Sequence, residues 1–129
     1  MTSIIVDTSA LIAFFVRSEK HHQAARQYVQ QNPTKPWIVL ETVTWLRIKV
    51  SIVASIQIGK VLRQEHVYVN LSVDDDNATW KTFAKYNDKY WSYTDCSMLA
   101  MAQRLNVSDI FSFDNHISQM ASLGINCVP

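Results

Sequence analysis

Residues 3–16 combine a strand pattern with a helix start, and this segment constrains the fold of the whole chain. The run Ile4–Val6 is apolar and β-branched, which is typical of a strand buried on both faces of a sheet. Asp7 comes next, followed by Thr8 and Ser9, and the side-chain oxygens of such residues accept hydrogen bonds from the first N–H groups of a helix. This order places Asp7 at the carboxyl end of a central strand, where open α/β sheets bind ligands.

Strand and helix patterns alternate along the rest of the chain. The further predicted strands are Pro36–Leu40, Val67–Leu71, Ile110–Phe113 and Asn126–Val128. The first three predicted helices are Ala10–Val16, Glu19–Gln31 and a long helix from Thr42 to Ile58, which has a break or kink at Gly59. The later predicted helices are one that Asp74–Asp76 open, one at Cys96–Leu105 and a short one that ends at Ala121. This alternation predicts a three-layer α/β/α sandwich around a mostly parallel sheet. No linker or repeat divides the 129 residues, so we expect one domain over residues 1–129.

Composition excludes several classes of protein. The net charge is +1, so no overall basic field indicates nucleic-acid binding, although a local basic patch remains compatible with it. Cys96 and Cys127 have no metal-ligand spacing, and two lone cysteines favour a reducing compartment. Asp7 interrupts the apolar N-terminus, and no apolar run is long enough to cross a bilayer. We therefore expect a soluble cytoplasmic protein that does not enter a membrane.

Four acidic residues are predicted to meet at one edge of the sheet. Asp7, Glu41 and Asp114 each follow a predicted strand, and Asp95 opens a helix that returns toward the fourth strand. Each one alone could be an ordinary helix-capping residue. Together they would repel, because two like charges about 4 Å apart cost on the order of 4 kcal/mol near a protein surface. A hard cation relieves this repulsion, so the four acids predict a site for Mg²⁺ or Mn²⁺.

Other polar and aromatic clusters suggest less specific roles. The acidic run Asp74–Asp76 is interpreted as a solvated first turn of a helix. His21 and His22 are sequence neighbours without an i,i+4 partner, so they do not form a zinc site, and we expect all four histidines at the surface or an interface. The aromatic residues in Tyr90–Tyr93 fit either stacking on unpaired bases or core and subunit contacts.

Two phosphate-handling folds with an early aspartate fit poorly. A haloacid-dehalogenase phosphatase needs a second aspartate two residues after the first, where this chain has Ser9. A receiver domain needs an acidic pair at the end of strand one and a late lysine, but Ile5 and Val6 precede Asp7 and no lysine follows Lys89.

Several motifs resemble those of one known family across essentially the whole chain. The motifs are Val6–Leu11, reading VDTSAL, then Glu41, then the segment Ser92–Asp95 that runs into a helix, then Phe111–Asp114, and finally the tail Gly124–Pro129. In order and context they resemble the PIN-domain signature, and the chain length is similar to that of the VapC-type toxin ribonucleases.

The resemblance implies a magnesium- or manganese-dependent endoribonuclease of PIN-like fold. Asp7, Glu41, Asp95 and Asp114 match the catalytic, metal-holding acids of the family. The flanking hydroxyl residues also match, and they are Thr8, Ser9 and Ser112. Metal-activated water would hydrolyse the phosphodiester and leave 5′-phosphate and 3′-hydroxyl ends.

The resemblance also implies partner proteins. VapC-type proteins are usually homodimers that a cognate antitoxin neutralises, and the apolar residues on both sides of the predicted helix Thr42–Ile58 are consistent with such surfaces.

The chain departs from the family pattern at one place. After Asp114, the family often has an acidic or aromatic pair, whereas this chain has Asn115 and His116. The role of His116 is therefore open. A catalytically silent RNA- or protein-binding module of the same fold, and a DNA-directed nuclease, are the alternative functions.

Overall fold

The computed structural model describes residues 3–40 and 50–129, and its centre is a five-stranded parallel sheet. The strands are β1 (Ile4–Val6), β2 (Trp37–Leu40), β3 (Val67–Val69), β4 (Asp109–Phe111) and β5 (Asn126–Val128). Their spatial order is β3-β2-β1-β4-β5, and every pairing is parallel. The central strand β1 has Ile5 opposite both Ile38 of β2 and Ile110 of β4. The carboxyl ends of β1, β2 and β4 are thus adjacent.

Helices pack on both faces of this sheet, as the sequence predicted. They are α1 (Thr8–Phe15), α2 (His22–Gln31), α3 (Ile52–Glu65), α4 (Val73–Lys85), α5 (Tyr93–Leu105), α6 (Asn115–Ser118) and a 3₁₀ helix at Ala121–Leu123. Side chains of Ile4, Val39 and Phe111 point to α1, α2 and α3, whereas those of Ile5 and Ile110 point to α5 and α6. The three-layer α/β/α sandwich is confirmed.

Strands β1 and β2 and the last two residues of β4 are apolar on both faces because both faces are covered. Ile4, Ile5 and Ile110 have no solvent exposure, and Phe111 is equally buried. Full burial of each such side chain contributes about 1.5–3 kcal/mol. No helix among residues 3–40 and 50–129 is long and apolar enough to cross a bilayer.

The predicted long helix from Thr42 to Ile58 differs from the structure. Residues 41–49 lie outside the described residues, and α3 begins only at Ile52. Ser51 is extended, with φ −172° and ψ 166°, and its side chain accepts a hydrogen bond from the Ala54 N–H. A serine that caps a helix in this way ends any helical run that precedes it. The predicted break at Gly59 is also wrong, because Gly59 lies buried inside α3.

Several further boundaries differ from the prediction: β3 ends at Val69 rather than Leu71, and α5 begins at Tyr93 rather than Cys96. Helix α2 begins at His22 rather than Glu19, because turns occupy the residues just before it. Strand β4 ends at Phe111, so Asp114 does not follow it directly; the Ser112 N–H still donates to the Val128 carbonyl before the chain turns.

The acidic run in the first turn of α4 is not solvated throughout. Asp75 is buried, and its carboxylate accepts a hydrogen bond from the Ser72 N–H while the Ser72 hydroxyl caps the helix. Nε of Arg104 lies 2.6 Å from the same carboxylate. Asp74 and Asp76 are exposed as predicted.

Candidate active site

Asp7 lies where β1 ends and α1 begins. Its N–H donates to the Phe111 carbonyl of β4, and its carboxylate caps α1 by accepting from the Thr8 N–H at 2.8 Å. The hydroxyls of Ser9 and Ser112 donate to Oδ2 of Asp7 at 2.7 and 2.8 Å. Hydrogen bonds from the neighbouring Thr8 and Ser9 and from the distant Ser112 therefore hold this carboxylate in one orientation.

Ser9 and Ser112 connect the ends of β1 and β4. Ser9 Oγ accepts a hydrogen bond from the Phe113 N–H, and Ser112 Oγ accepts one from the Asp114 N–H, both at 3.0 Å. Each hydroxyl thus donates to Asp7 and accepts from the backbone of the segment that carries Asp114. Two of the three predicted hydroxyl residues, Ser9 and Ser112, thus fix the position of that segment relative to Asp7.

The Asp7 carboxyl has an unfavourable environment for its negative charge. Burial raises its pKa above the ordinary value of 3.8, and the nearby charge of Asp114 raises it further. The hydrogen bonds from Ser9, Ser112 and the Thr8 N–H lower the pKa and offset only part of this effect. A buried acid in this situation is stabilised in its ionised form when a cation binds close to it.

Asp95 and Asp114 meet at the side chain of His116. Asp95 belongs to a capping box at the start of α5, in which its Oδ2 accepts from the Ser92 N–H and the Ser92 hydroxyl accepts from the Asp95 N–H. Nδ1 of His116 lies 3.0 Å from Asp95 Oδ2 and 3.8 Å from Asp114 Oδ1. The backbone N–H of His116 also donates to Asp114 Oδ1 at 2.9 Å.

The donors of this cluster fit a divalent cation. One ligand atom each from Asp95, Asp114 and His116 lies within 4.8 Å of the others. Within the part of the chain that the structure describes, Oδ1 of Asp95 and Oδ2 of Asp114 accept no hydrogen bond from the protein. Carboxylate oxygens suit Mg²⁺ and Mn²⁺, and an imidazole nitrogen adds affinity for later transition metals.

A cavity of about 270 Å³ opens beside Asp7 at the carboxyl ends of β1, β2 and β3. Asp7 and Thr8 form one wall, and Tyr93, Thr94 and Ser97 of the first turns of α5 form another. The cavity is thus bounded by predicted site residues on one side and by an aromatic ring on the other.

Most of the predicted site residues share this edge of the sheet. Asp7, Asp95 and Asp114 are brought there together with Thr8, Ser9 and Ser112, and Glu41 lies outside the described residues. His116, whose role the sequence left open, is partly exposed and contacts two of the acids, but it was not among the predicted site residues. Its position two residues after Asp114, in the first turn of a predicted helix, was the available signal.

Comparison with known proteins identifies the family. The sequence profile of the PIN domain matches residues 4–123, which is nearly the whole chain. The chain belongs to the PIN-domain family. A search of curated protein sequences found no significant match.

Solved structures agree with the fold of this PIN domain. It is similar to the VapC20 toxin of Mycobacterium tuberculosis, which is described as cleaving the sarcin-ricin loop, with a TM-score of 0.84, 16% identity and 98% coverage of both chains. It is also similar to a chain of DNA-bound VapBC from Salmonella typhimurium, with a TM-score of 0.68, 12% identity and coverage of 98% of this chain and 97% of the other. At these identities the likeness establishes the fold. Membership of the PIN family supports a general assignment as a nuclease.

Proposed function

We propose that this PIN domain is a divalent-metal-dependent endoribonuclease and the toxin of a toxin–antitoxin pair. The observation that supports this most strongly is the meeting of Asp95, Asp114 and His116, of which Asp114 also acts electrostatically on the buried carboxylate of Asp7. Acids from separate parts of the chain would repel at this edge without a cation. The VapC20 toxin, which shares the fold, is described as cleaving the sarcin-ricin loop.

The metal would be held by Asp95, Asp114 and His116 together with Asp7, and Glu41 is proposed as a further ligand from its sequence position. A bound Mg²⁺ or Mn²⁺ would polarise the scissile phosphate and lower the pKa of a water molecule. The chain's own residues orient the acids: the Ser9 and Ser112 hydroxyls hold Asp7, and the capping box of α5 holds Asp95. We expect hydrolysis to leave 5′-phosphate and 3′-hydroxyl ends.

We also propose an antitoxin partner and a homodimer. A VapBC complex has the same fold in one of its chains. The first turns of α3 expose Ile52 and Val53 by 63% and 65%, and Ile56 is exposed on the same helix. Apolar groups grouped in this way support a surface that a protein partner covers. The proposed active unit is the whole of residues 1–129.

Cleavage of a labelled single-stranded RNA tests the activity and the site together. The purified protein is assayed with Mg²⁺, with Mn²⁺ and with EDTA, beside a variant carrying Asp7→Asn and Asp95→Asn. The control variant is Asp88→Asn, because this carboxylate is exposed and pairs with Lys89, which is not a residue of the candidate site. We expect cleavage that needs the metal, persists in Asp88→Asn and is lost in the double variant, with circular dichroism verifying that each variant is folded.

The product ends and a second substrate separate the alternatives. Activity that survives both EDTA and the two site substitutions would contradict the proposal, and 2′,3′-cyclic phosphate ends would contradict hydrolysis by water. Equal cleavage of DNA of the same sequence would indicate a nuclease without sugar preference. Binding of Mn²⁺ or RNA without any cleavage would favour a silent binding module.

A further inference from the structure

A second polar surface lies along α2, outside the acidic site. It is a groove of about 620 Å³ lined by Arg17, His22, Gln23, Arg26, Gln27 and Gln30, and we call it the α2 groove. Four of these residues, from Gln23 to Gln30, follow the i, i+3, i+4, i+7 spacing that places side chains on one helix face. Their Cα atoms span about 10 Å along the helix axis.

The α2 groove has cationic and amide side chains but no carboxylate. No Asp or Glu occurs from Lys20 to Leu40, although the net charge of the whole chain is only +1. Arg17 and Arg26 are both exposed, and neither forms an ion pair with a carboxylate of residues 3–40 or 50–129. The guanidinium of Arg26 lies 5.9 Å from the ring centroid of Phe14, so the aromatic ring supports it on the surface. This combination favours binding of an anion.

The N-terminal end of the α2 groove adjoins the acidic site. The ring of His21, which precedes the first groove residue of α2, stacks on Phe113 with centroids 4.5 Å apart and an interplanar angle of 5°. The Phe113 N–H donates to Ser9 Oγ, and the Ser9 hydroxyl donates to Asp7. A polymer that lies in the groove can therefore continue toward the candidate site.

We propose that the α2 groove binds the sugar–phosphate backbone of the RNA strand that the acidic site cleaves. This inference rests on the proposed function. The guanidinium groups of Arg17 and Arg26 match phosphate oxygens, and they carry the affinity. The glutamine amides both donate and accept, so they match ribose 2′-hydroxyls and base edges better than they match the carboxylates of an acidic peptide.

Fluorescence anisotropy with a labelled single-stranded RNA in EDTA tests the groove without cleavage. The test variant carries Arg17→Ala and Arg26→Ala. The control carries Lys60→Ala and Lys81→Ala, which remove the same charge from exposed positions on other helices. We expect affinity to fall by about tenfold or more in the test variant and by less than about twofold in the control, because only the arginines contact phosphate. The slope of log affinity against log salt should become shallower by about 1.4 for two lost contacts.

Further measurements keep the result independent of folding and of cleavage. A variant with Arg17→Lys and Arg26→Lys keeps the charge, so we expect it to restore most of the salt slope. Equal losses of RNA affinity in the test and control variants, or an unchanged salt slope, would contradict RNA binding in the α2 groove. Stronger competition by polyglutamate than by unlabelled RNA would also contradict it. Wild-type protein that cleaves RNA but fails this binding test would leave the proposed function intact. RNA binding that depends on the groove, without cleavage in any metal, would refute only the nuclease.

Discussion

The environment of Asp7 disfavours the ionised form of its carboxyl. Its side chain is buried against Ser9 and Ser112, and burial together with Asp114 raises the pKa of its carboxyl. A carboxyl with a raised folded-state pKa contributes its full stability below the ordinary value of 3.8 and loses that contribution as pH rises through the folded-state value. The ionised form at neutral pH therefore destabilises the metal-free protein.

We expect Asp7→Asn to gain stability relative to the wild type as pH rises from about 3 to 7 in the metal-free protein, because the substituted side chain carries no buried charge. The gain should shrink as pH falls toward the ordinary pKa of aspartate. Urea unfolding in EDTA between about pH 3 and pH 7 measures it. Asp88→Asn is the control, since that carboxylate is exposed. A stability difference between Asp7→Asn and the wild type that stays constant over this pH range would contradict the argument.

His116 is expected to contribute directly to metal affinity. Its Nδ1 lies within 4 Å of both Asp95 and Asp114, where a cation would gather all three donors. We expect His116→Ala to weaken Mn²⁺ binding by about tenfold or more. Titration calorimetry and the electron paramagnetic resonance of Mn²⁺ both measure this. His66→Ala is the control because that ring stacks on Trp37, and equal Mn²⁺ affinity in the two variants would exclude His116 as a ligand.

At the scale of elements, α4 and α5 are joined by one buried carboxylate. Asp75 completes the capping box of α4 with Ser72, and Arg104 of α5 lies against it. The hydrogen bond from the Ser72 N–H is the main cause that lowers the pKa of Asp75, and Arg104 lowers it as well. This contribution to stability is present above the ordinary value of 3.8 and is lost as pH falls through the lower folded-state value.

We expect Asp75→Ala to destabilise the protein by about 2–3 kcal/mol at neutral pH, because it removes the capping bonds and leaves Arg104 without its partner. Asp74→Ala is the matched control from the same turn, and it should cost less than about 1 kcal/mol, because Asp74 is exposed and forms no hydrogen bond or ion pair with residues 3–40 or 50–129 through its side chain. Urea unfolding measures both changes. Similar losses in the two variants would show that the buried contact contributes nothing beyond the charge of the first turn.

At the scale of the whole molecule, metal binding is linked to folding. The acids of the site come from the start of the chain and from two later helices, so an unfolded chain does not present them together. Mn²⁺ at a hundred times its dissociation constant should raise the free energy of unfolding by about 2.7 kcal/mol. Thermal unfolding with Mn²⁺ and with EDTA measures the shift, and a variant with Asp95→Asn and Asp114→Asn should lose it. The same shift in both proteins would place the metal elsewhere.

Much of the fold could be predicted because its signals are local. The β-branched run of β1 and the helix cap at Asp7 follow from the conformations that these residues adopt. Alternating strand and helix patterns then require a parallel sheet with covered faces. The prediction was wrong at Gly59, where burial within a packed helix outweighs the low helix propensity of glycine.

The exposed apolar residues of α4 show a limit of prediction from local sequence patterns. Trp80 and Phe83 are large apolar residues, yet they are 60% and 40% exposed. Their rings are tilted against each other, and Phe83 meets Tyr93 of the cavity wall edge to face. Helical spacing identifies residues that share a face, but it does not tell whether that face meets the core or solvent.

The sequence by itself determined the order of the elements and the edge of the sheet at which Asp7, Asp95 and Asp114 lie, because parallel strands all end on one side. Only the tertiary structure decided which groups meet there. Ser112 donates to Asp7 across 105 residues, and His116 lies between two acids because β4 packs beside β1 and α6 follows beside the start of α5. Local conformational preference cannot encode such contacts, since they depend on which strands are neighbours and on how the helices pack over them.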